Sequence, residues 1–181
     1  MTLWTPRPWQ PPMLAHIAEH ERCLVFAAMG SGKTVATLTA AASDDLIYEG
    51  PTLIVAPKRV ALNTWPDEIR KWDHLKGLEM SPILGSVEQR LKALRRDVPV
   101  YAVNYDNLVW LTKHYGNAWP FRSVVADEST RLKGYRSSQG GARARALSAN
   151  AHSKVRKFVG LTGTPVPNGY QNLWGQMWFV D

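Results

Sequence analysis

The sequence predicts an α/β fold in which a parallel β-sheet lies between two layers of helices. Six short apolar runs alternate along the 181-residue chain with segments of helical periodicity. The runs are apolar at consecutive positions and are separated by helix-length segments, which is typical of strands buried on both faces of a parallel sheet. A chain of this length has room for one domain with its own hydrophobic core.

The individual elements follow from local composition and periodicity. Runs rich in Val, Ile, Leu and Ala predict strands at residues 23–27, 52–56, 81–84, 100–103, 123–126 and 157–161. Apolar residues that recur three or four positions apart predict helices between these strands. The predicted helices cover residues 10–21, 33–42, 62–72, 87–95, 106–114, 139–151 and 170–180.

The composition excludes several classes of protein. Cys23 is the single cysteine, so a disulfide framework is excluded and a reducing compartment is expected. The apolar stretch at residues 23–29 is far shorter than the roughly 20 residues that span a bilayer. The charges and prolines before it are not typical of a signal peptide. We therefore expect a cytoplasmic protein that makes no membrane contact.

The net charge of +7 is concentrated in one segment. Residues 131–157 contain eight of the 22 basic residues and none of the 15 acidic residues. Such a segment can attract a phosphate backbone. A solvated loop followed by a solvated helix face is the alternative interpretation.

Residues 27–34, called the phosphate loop below, follow a buried strand and open a helix, which predicts a phosphate-binding site. Glycines let the backbone turn so that successive N–H groups point at one anion, and the helix N-terminus adds partial positive charge. Lys33 is expected to reach the β- and γ-phosphates, and the Thr34 hydroxyl to bind Mg²⁺. The predicted nucleotide contacts in this loop are Met29, Gly30, Ser31, Gly32, Lys33 and Thr34.

Two acidic residues, Asp127 and Glu128, end the apolar run that begins at Ser123. This position places them at the carboxyl edge of the predicted sheet, where ligands bind in open α/β folds. Asp127 is expected to hold Mg²⁺, directly or through water, and Glu128 to polarise the attacking water as general base. Acidic residues that merely follow a strand are the alternative, which the preceding phosphate loop makes less attractive.

These motifs resemble those of superfamily-two helicases and, among them, the Swi/Snf-type DNA translocases. The phosphate loop matches the form of motif I in that superfamily, which accounts for Ala27 at the position of the first glycine. Further matching stretches follow in the family's order at residues 7–10, 52–57, 63–72, 103–108, 127–133, 161–168 and 173–174. The resemblance implies a RecA-like parallel sheet between helices, as in P-loop NTPases, with ATP and Mg²⁺ as cofactors.

The resemblance also implies roles for residues outside the phosphate loop. Gln10 is implied to pair with the edge of adenine, and Thr162, Gly163 and Thr164 to couple the ATP site to the rest of the motor. The residues implied to contact the backbone of duplex DNA are Pro57, Lys58, Arg59, Asn104 and Tyr105. Low sequence specificity is expected from backbone contacts. A solvated turn at residues 58–59 and packing of Tyr105 are the alternatives.

Two features depart from the family pattern. Ser129 and Thr130 stand where many relatives carry alanine or glycine followed by histidine, so coupling is in doubt or runs through Thr130. The chain also ends at Asp181, where the family's first lobe usually ends. Residues 1–181 are therefore expected to form the first lobe, with a second RecA-like lobe supplied by the same protein or another chain. That second lobe carries an arginine of a kind worth roughly 10³–10⁵-fold in turnover, so slow hydrolysis by the isolated lobe is expected.

Two further patterns have competing interpretations. Some of the eight tryptophans could stack on bases, but helical spacing favours packing of Trp65, Trp72, Trp174 and Trp178. Trp9 neighbours Gln10 and could lie near the adenine. Residues 16–20 fit a His-x-x-Glu-His zinc motif, but so short a match arises easily by chance, and no zinc is expected.

The function predicted from the sequence is that of a helicase-like, DNA-dependent ATPase and translocase whose first lobe binds Mg-ATP. Lys33, Asp127 and Glu128 are the predicted catalytic residues. One alternative is a one-lobe binding module that engages DNA or a partner protein without turnover. Another is an unrelated P-loop kinase or NTPase, which would make the stretch at residues 161–168 a coincidence.

Overall fold

A six-stranded parallel sheet forms the centre of the computed structural model, which describes residues 2–43, 45–46, 50–134, 141–166 and 169–181. The strands are β1 (Arg22–Phe26), β2 (Thr52–Ala56), β3 (Met80–Ile83), β4 (Val100–Asn104), β5 (Ser123–Asp127) and β6 (Lys157–Thr162). Their order across the sheet is β1-β6-β5-β2-β4-β3, and every neighbouring pair is parallel. The predicted fold class is confirmed, and each predicted strand lies within about one residue of its observed position.

The described helices are α1 (Gln10–Glu19), α2 (Lys33–Ala42), α3 (Trp65–Lys71), α4 (Val87–Leu94), α5 (Leu108–Tyr115), α6 (Ala142–Ala151) and α7 (Gln171–Met177). A π-helical stretch at Val60–Thr64 leads into α3, where the sequence predicts α-helix from residue 62. The predicted start of α6 at Gln139, the basic residue Arg136, and Pro167 and Asn168 lie outside the described residues. None of the described helices is long and apolar enough to cross a membrane.

The sheet separates two hydrophobic layers. Helices α1, α2 and α3 cover one face, and α4, α5, α6 and the C-terminal Phe179 cover the other. Successive strand residues point to opposite faces, so Leu53 packs in one layer while its neighbour Ile54 packs in the other. This two-sided burial explains why the strands read as continuous apolar runs.

The parallel arrangement brings the carboxyl ends of all strands to one edge of the sheet. The phosphate loop leaves this edge after β1, and the Asp127–Glu128 step leaves it after β5. The segments beginning at Pro57 and Gly163 leave it after β2 and β6. Every candidate site segment predicted from the sequence that follows a strand therefore lies along one rim of the molecule.

Arg22 on the edge strand β1 fastens the C-terminal part of the chain to the sheet. Its guanidinium donates to the carbonyl oxygens of Phe179 at 2.7 Å, of Val155 at 2.6 Å, and of Ala151. These three carbonyls belong to the chain end, the approach to β6 and the last residue of α6. The planar Arg22 guanidinium thus donates hydrogen bonds to three carbonyl oxygens that lie outside the strands.

We expect Arg22→Met to lower the free energy of unfolding by about 3 kcal/mol, because three carbonyls lose a charged donor while the aliphatic stem is retained. Urea denaturation followed by circular dichroism measures the change. Arg145→Met, at an exposed position of α6, is the matched control. Equal unfolding midpoints for the two variants would show that the Arg22 contacts contribute nothing.

Candidate nucleotide site

The phosphate loop turns through two glycines in the left-handed region. Gly30 has φ 74° and Gly32 has φ 84°, and α2 begins at the next residue, Lys33. Residues other than glycine rarely adopt this backbone conformation. Such a turn brings successive backbone N–H groups together at the start of α2, where they can bind an anion.

Lys33 folds back over this loop. Its Nζ donates to the carbonyl oxygens of Ala27 at 2.6 Å and Ala28 at 2.9 Å. Burial lowers the pKa of the Lys33 ammonium, and the nearby Asp127 carboxylate partly offsets this effect. The cation therefore lies at the mouth of the loop and is held by groups that a phosphate could replace.

Asp127 is the most constrained acidic residue of the rim. Its Oδ2 accepts a hydrogen bond from Trp65 Nε1 at 3.0 Å, and its Oδ1 accepts one from the Glu128 backbone N–H at 3.1 Å. Its carbonyl oxygen accepts a hydrogen bond from the Tyr105 hydroxyl at 2.8 Å. Burial raises the pKa of Asp127, whereas the Trp65 hydrogen bond and the Lys33 charge lower it.

Glu128 has a backbone conformation that is unusual for its type. Its φ of 57° makes it the single non-glycine residue with positive φ among the described residues. Its Oε2 pairs with Arg131 Nε at 2.9 Å, and the Arg131 guanidinium lies 5.8 Å from the centroid of the Tyr105 ring. Backbone strain of this kind concentrates at functional sites. The predicted general base is thus held in an exposed ion pair.

Residues 7–10 are fastened to the phosphate loop through its carbonyl oxygens. Arg7 donates to Gly30 O at 3.1 Å, and Trp9 Nε1 donates to Ser31 O at 2.9 Å. The buried Gln10 accepts from the Arg7 backbone N–H at 2.8 Å, and its Nε2 lies 3.4 Å from Ser31 O. A Cβ at position 32 would lie 2.1 Å from this amide, so the close approach requires glycine.

A cleft of about 380 Å³ opens beside the phosphate loop. Residues from three segments line it, namely Trp4, Thr5, Arg7, Gln10, Gly30, Gly32, Lys33, Thr34, Val35, Thr64, Glu68, Lys71 and Trp72. A larger groove of about 650 Å³ lies across the loop and has a mainly apolar lining that includes Trp9, Phe26 and Met29. Because Lys33 and Thr34 face the smaller cleft, it is the better candidate for the nucleotide.

The predicted nucleic-acid residues divide into an exposed and a buried group. Lys58 and Arg59 are exposed and Pro57 is half-buried, just beyond the end of β2. Asn104 is 5% exposed and Tyr105 is 2% exposed, and the Tyr105 hydroxyl contacts the Asp127 backbone. Direct contact of Asn104 or Tyr105 with DNA would require this segment to open. In this structure Tyr105 links the end of β4 to the end of β5.

The segment predicted to couple ATP to the motor contacts the phosphate loop. Thr162 is buried at the end of β6, and its carbonyl accepts from the Ala27 backbone N–H at 3.1 Å. The Thr164 backbone N–H donates to Thr162 Oγ1 at 3.1 Å. A Cβ at Gly163 would lie 3.5 Å from the Met29 backbone nitrogen. Residues 162–164 therefore lie between the two candidate catalytic loops.

A hydrogen-bonded bridge that the sequence did not reveal joins the loops after β5 and β6. Ser129 Oγ donates to Gln176 Oε1 at 2.7 Å, and Gln176 Nε2 donates to Pro165 O at 2.9 Å. Both Ser129 and Gln176 are buried. The contact is made by Ser129 and by a glutamine on α7, and the suggested role of Thr130 in coupling stays a prediction.

Several charges in the described part of the basic segment have partners within the fold. Lys157 is 7% exposed and donates to Ala18 O, while Arg131 and Arg143 pair with Glu128 and Asp106. Its charges are thus partly used inside the fold, which reduces the attraction expected from sequence alone.

The remaining sequence patterns have mixed outcomes. Trp65 is fully buried, as packing predicts, but Trp174 is 63% exposed, so the packing prediction is wrong there. Trp9 is half exposed and lies against the phosphate loop. The rings of His16 and His20 lie 4.5 Å apart, and within the described part of the chain no third ligand completes a metal site with them.

Solved structures show the same fold. The SWI2/SNF2 ATPase core of Sulfolobus solfataricus in complex with dsDNA gives a TM-score of 0.77 at 23% identity, over 98% of this chain and 36% of that one. The UvsW helicase from bacteriophage T4 gives 0.69 at 15% identity, over 96% and 58% of the two chains. The sheet and its phosphate loop thus define a P-loop NTPase of the RecA-like class.

The SNF2-related domain family matches residues 13–181, and the chain belongs to this family. Protein p41 of Acyrthosiphon pisum secondary endosymbiont phage 1 is 51% identical over 186 residues, which cover 100% of this chain and 40% of p41. Helicase SWR1 of Mycosarcoma maydis is 30% identical over 84% of this chain and 8% of its own length. The chain therefore spans less than half of either relative.

We expect Asp127→Asn to lose one of the two hydrogen bonds that the carboxylate accepts, but its Tm relative to the wild type should rise with pH in the absence of nucleotide and Mg²⁺. Burial raises the pKa of Asp127 in the folded state, so the folded protein bears a buried charge that the unfolded chain keeps hydrated. A raised pKa favours the folded wild type at low pH, and this advantage is lost as the pH rises through the folded-state pKa. The difference in Tm should therefore grow in favour of the variant as the pH rises from the unfolded-state pKa of about 3.9 through the raised folded-state pKa.

Scanning calorimetry of the two proteins across this range measures the difference. The exposed Asp97→Asn removes the same charge elsewhere and is the control. A difference that is independent of pH, or equal in the control, would contradict the assigned burial cost.

Proposed function

We propose that residues 1–181 form the first, ATP-binding lobe of a DNA-dependent ATPase that translocates along duplex DNA. The observation that carries this proposal is the meeting of Lys33 and Asp127 at one rim, each affecting the pKa of the other. A cation on a glycine loop beside a carboxylate at a strand end is the pair that phosphoryl transfer with Mg-ATP needs. Family membership supports the same reaction class.

In this proposal the nucleotide lies in the smaller cleft. The phosphates replace the carbonyls of Ala27 and Ala28 as partners of Lys33 Nζ. Thr34 and Asp127 supply the oxygen ligands that Mg²⁺ prefers, and a bound Mg²⁺ would neutralise charge on the phosphate oxygens. Gln10 contacts the phosphate loop and lines the cleft. It could therefore hydrogen-bond to the edge of adenine while it remains in contact with Ser31.

Glu128 is the proposed general base for the attacking water. Its carboxylate is exposed and reaches Arg131 at 2.9 Å. An exposed carboxylate is accessible to an attacking water, as a general base requires. The ion pair with Arg131 must loosen before Glu128 can accept a proton.

A second RecA-like lobe, in the same protein or another chain, is proposed to complete the site. Without its arginine the transition-state charge lacks one stabilising cation, so turnover falls by roughly 10³–10⁵-fold. Binding of Mg-ATP depends on the phosphate loop and is retained. Poor hydrolysis with intact binding is therefore the expected behaviour of this chain alone.

We expect Lys33→Ala to weaken Mg-ATP binding by about 10- to 100-fold, because a charged hydrogen-bond donor to phosphate is lost. Isothermal titration calorimetry measures the affinity, and a coupled assay measures turnover with and without duplex DNA. Lys92→Ala, exposed on α4, is the matched control. Rapid DNA-stimulated turnover by this chain alone would contradict the incomplete site. Equal binding by the Lys33 variant would overturn the proposed function.

We expect the double variant Lys58→Ala, Arg59→Ala to weaken binding to duplex DNA of any sequence. Each phosphate contact contributes about 0.9 to the slope of log affinity against log salt, so the slope should fall by about 2. Fluorescence anisotropy at several salt concentrations measures it. Lys92→Ala, Arg95→Ala removes equal charge from an exposed part of the opposite edge. The same loss in both double variants would indicate general charge attraction only.

A further inference from the structure

Trp65 makes a contact that packing alone does not require. It is the first residue of α3 and is 0% exposed. Its indole N–H donates to Oδ2 of Asp127, 62 residues further along the chain, at 3.0 Å. A buried indole needs a hydrogen-bond acceptor, but its acceptor is usually a backbone carbonyl or water. Here the acceptor is the carboxylate at the centre of the candidate site.

The hydrogen bond from Trp65 restrains the terminal side-chain torsion of Asp127. The terminal torsion of an aspartate has a broad, roughly two-fold energy profile, so the plane of its carboxylate is poorly defined without partners. The Asp127 plane is held from both sides, by Trp65 at Oδ2 and by the Glu128 backbone N–H at Oδ1. Each oxygen accepts two hydrogen bonds or ligands in total, so each retains one free position.

We propose that Trp65 is a positioning residue that orients the Asp127 carboxylate for Mg²⁺. This inference rests on the proposed function, because it requires Asp127 to be a Mg²⁺ residue. Groups that orient a metal ligand typically change metal affinity or activity by about 10- to 100-fold when they are removed. Trp65 acts through Asp127 and touches no nucleotide-facing surface, because its side chain is fully buried.

Another buried tryptophan in the chain provides an internal comparison. Trp119 is 4% exposed, and its Nε1 donates to the backbone carbonyl of Phe121 at 3.0 Å. It packs in the other hydrophobic layer, away from the phosphate loop. Replacing either tryptophan by phenylalanine removes one buried indole hydrogen bond, but only the change at Trp65 frees a carboxylate of the site.

The test is the Mg²⁺ dependence of nucleotide binding by Trp65→Phe and Trp119→Phe, measured with a fluorescent ATP analogue over a Mg²⁺ titration. We expect the Mg²⁺ concentration at half-saturation to rise by about tenfold or more for Trp65→Phe and to stay unchanged for Trp119→Phe. Affinity for the analogue in excess chelator should be equal in both variants and the wild type, because the metal-free contacts are untouched. A purely structural role of Trp65 would weaken binding with and without Mg²⁺ alike.

Two further variants keep the test decisive. If Trp65→Phe does not fold, a benzothienyl-alanine at position 65, in which sulfur replaces the indole N–H, retains the shape and should show the same shift. In an Asp127→Asn background, Trp65→Phe should add no further effect, because its effect runs through that carboxylate. An unchanged Mg²⁺ dependence in the isosteric variant, or additive effects in the double variant, would overturn the inference. A wild type whose nucleotide binding ignores Mg²⁺ would overturn the proposed function, and this inference with it.

Discussion

The site depends on one constraint, the parallel alignment of β1, β6 and β5. Neighbouring strands lie about 4.8 Å apart, so the ends of β1 and β5 are separated by roughly 10 Å with β6 between them. That gap is short enough for Lys33, on a long flexible side chain, to influence Asp127 electrostatically. It is also the space into which β6 delivers Thr162 and Gly163. The contact between Thr162 and the phosphate loop follows from this spacing.

The polar groups at the rim trade stability for chemistry. A carboxylate held in a buried position and a residue with positive φ both cost free energy in the folded chain. The Trp65 indole and the Glu128 backbone N–H donate to the carboxylate and reduce this cost without removing the charge. In the proposed function, the Asp127 carboxylate would already be oriented before Mg-ATP binds. The two hydrophobic layers supply the stability that permits it.

The sequence predicts the parts of this arrangement that depend on local pattern. Strands buried on both faces are recognised as apolar runs. The phosphate loop is recognised because positions 30 and 32 have a positive φ that favours glycine. Long-range pairs carry no such signal. The hydrogen bond from Trp65 to Asp127 and the bridge through Gln176 join residues that are far apart in sequence. In the sequence alone, Trp65 and Gln176 cannot be told apart from residues that only pack. The sequence leaves packing of Tyr105 open as an alternative but does not identify its hydrogen-bond acceptor, which the hydroxyl reaches only after β4 and β5 assemble.

The position of β6 has a consequence for how the protein is made. It is the last of the described strands, yet it lies between β1 and β5 and hydrogen-bonds to both. During synthesis the first five strands emerge without the element that joins β1 to the rest of the sheet. Until β6 is synthesised, the edges of β1 and β5 lack their partner strand. Parallel pairings between segments that are distant in sequence also form slowly. The phosphate loop is thus synthesised early, but the rim that holds the candidate site is complete only when β6 inserts.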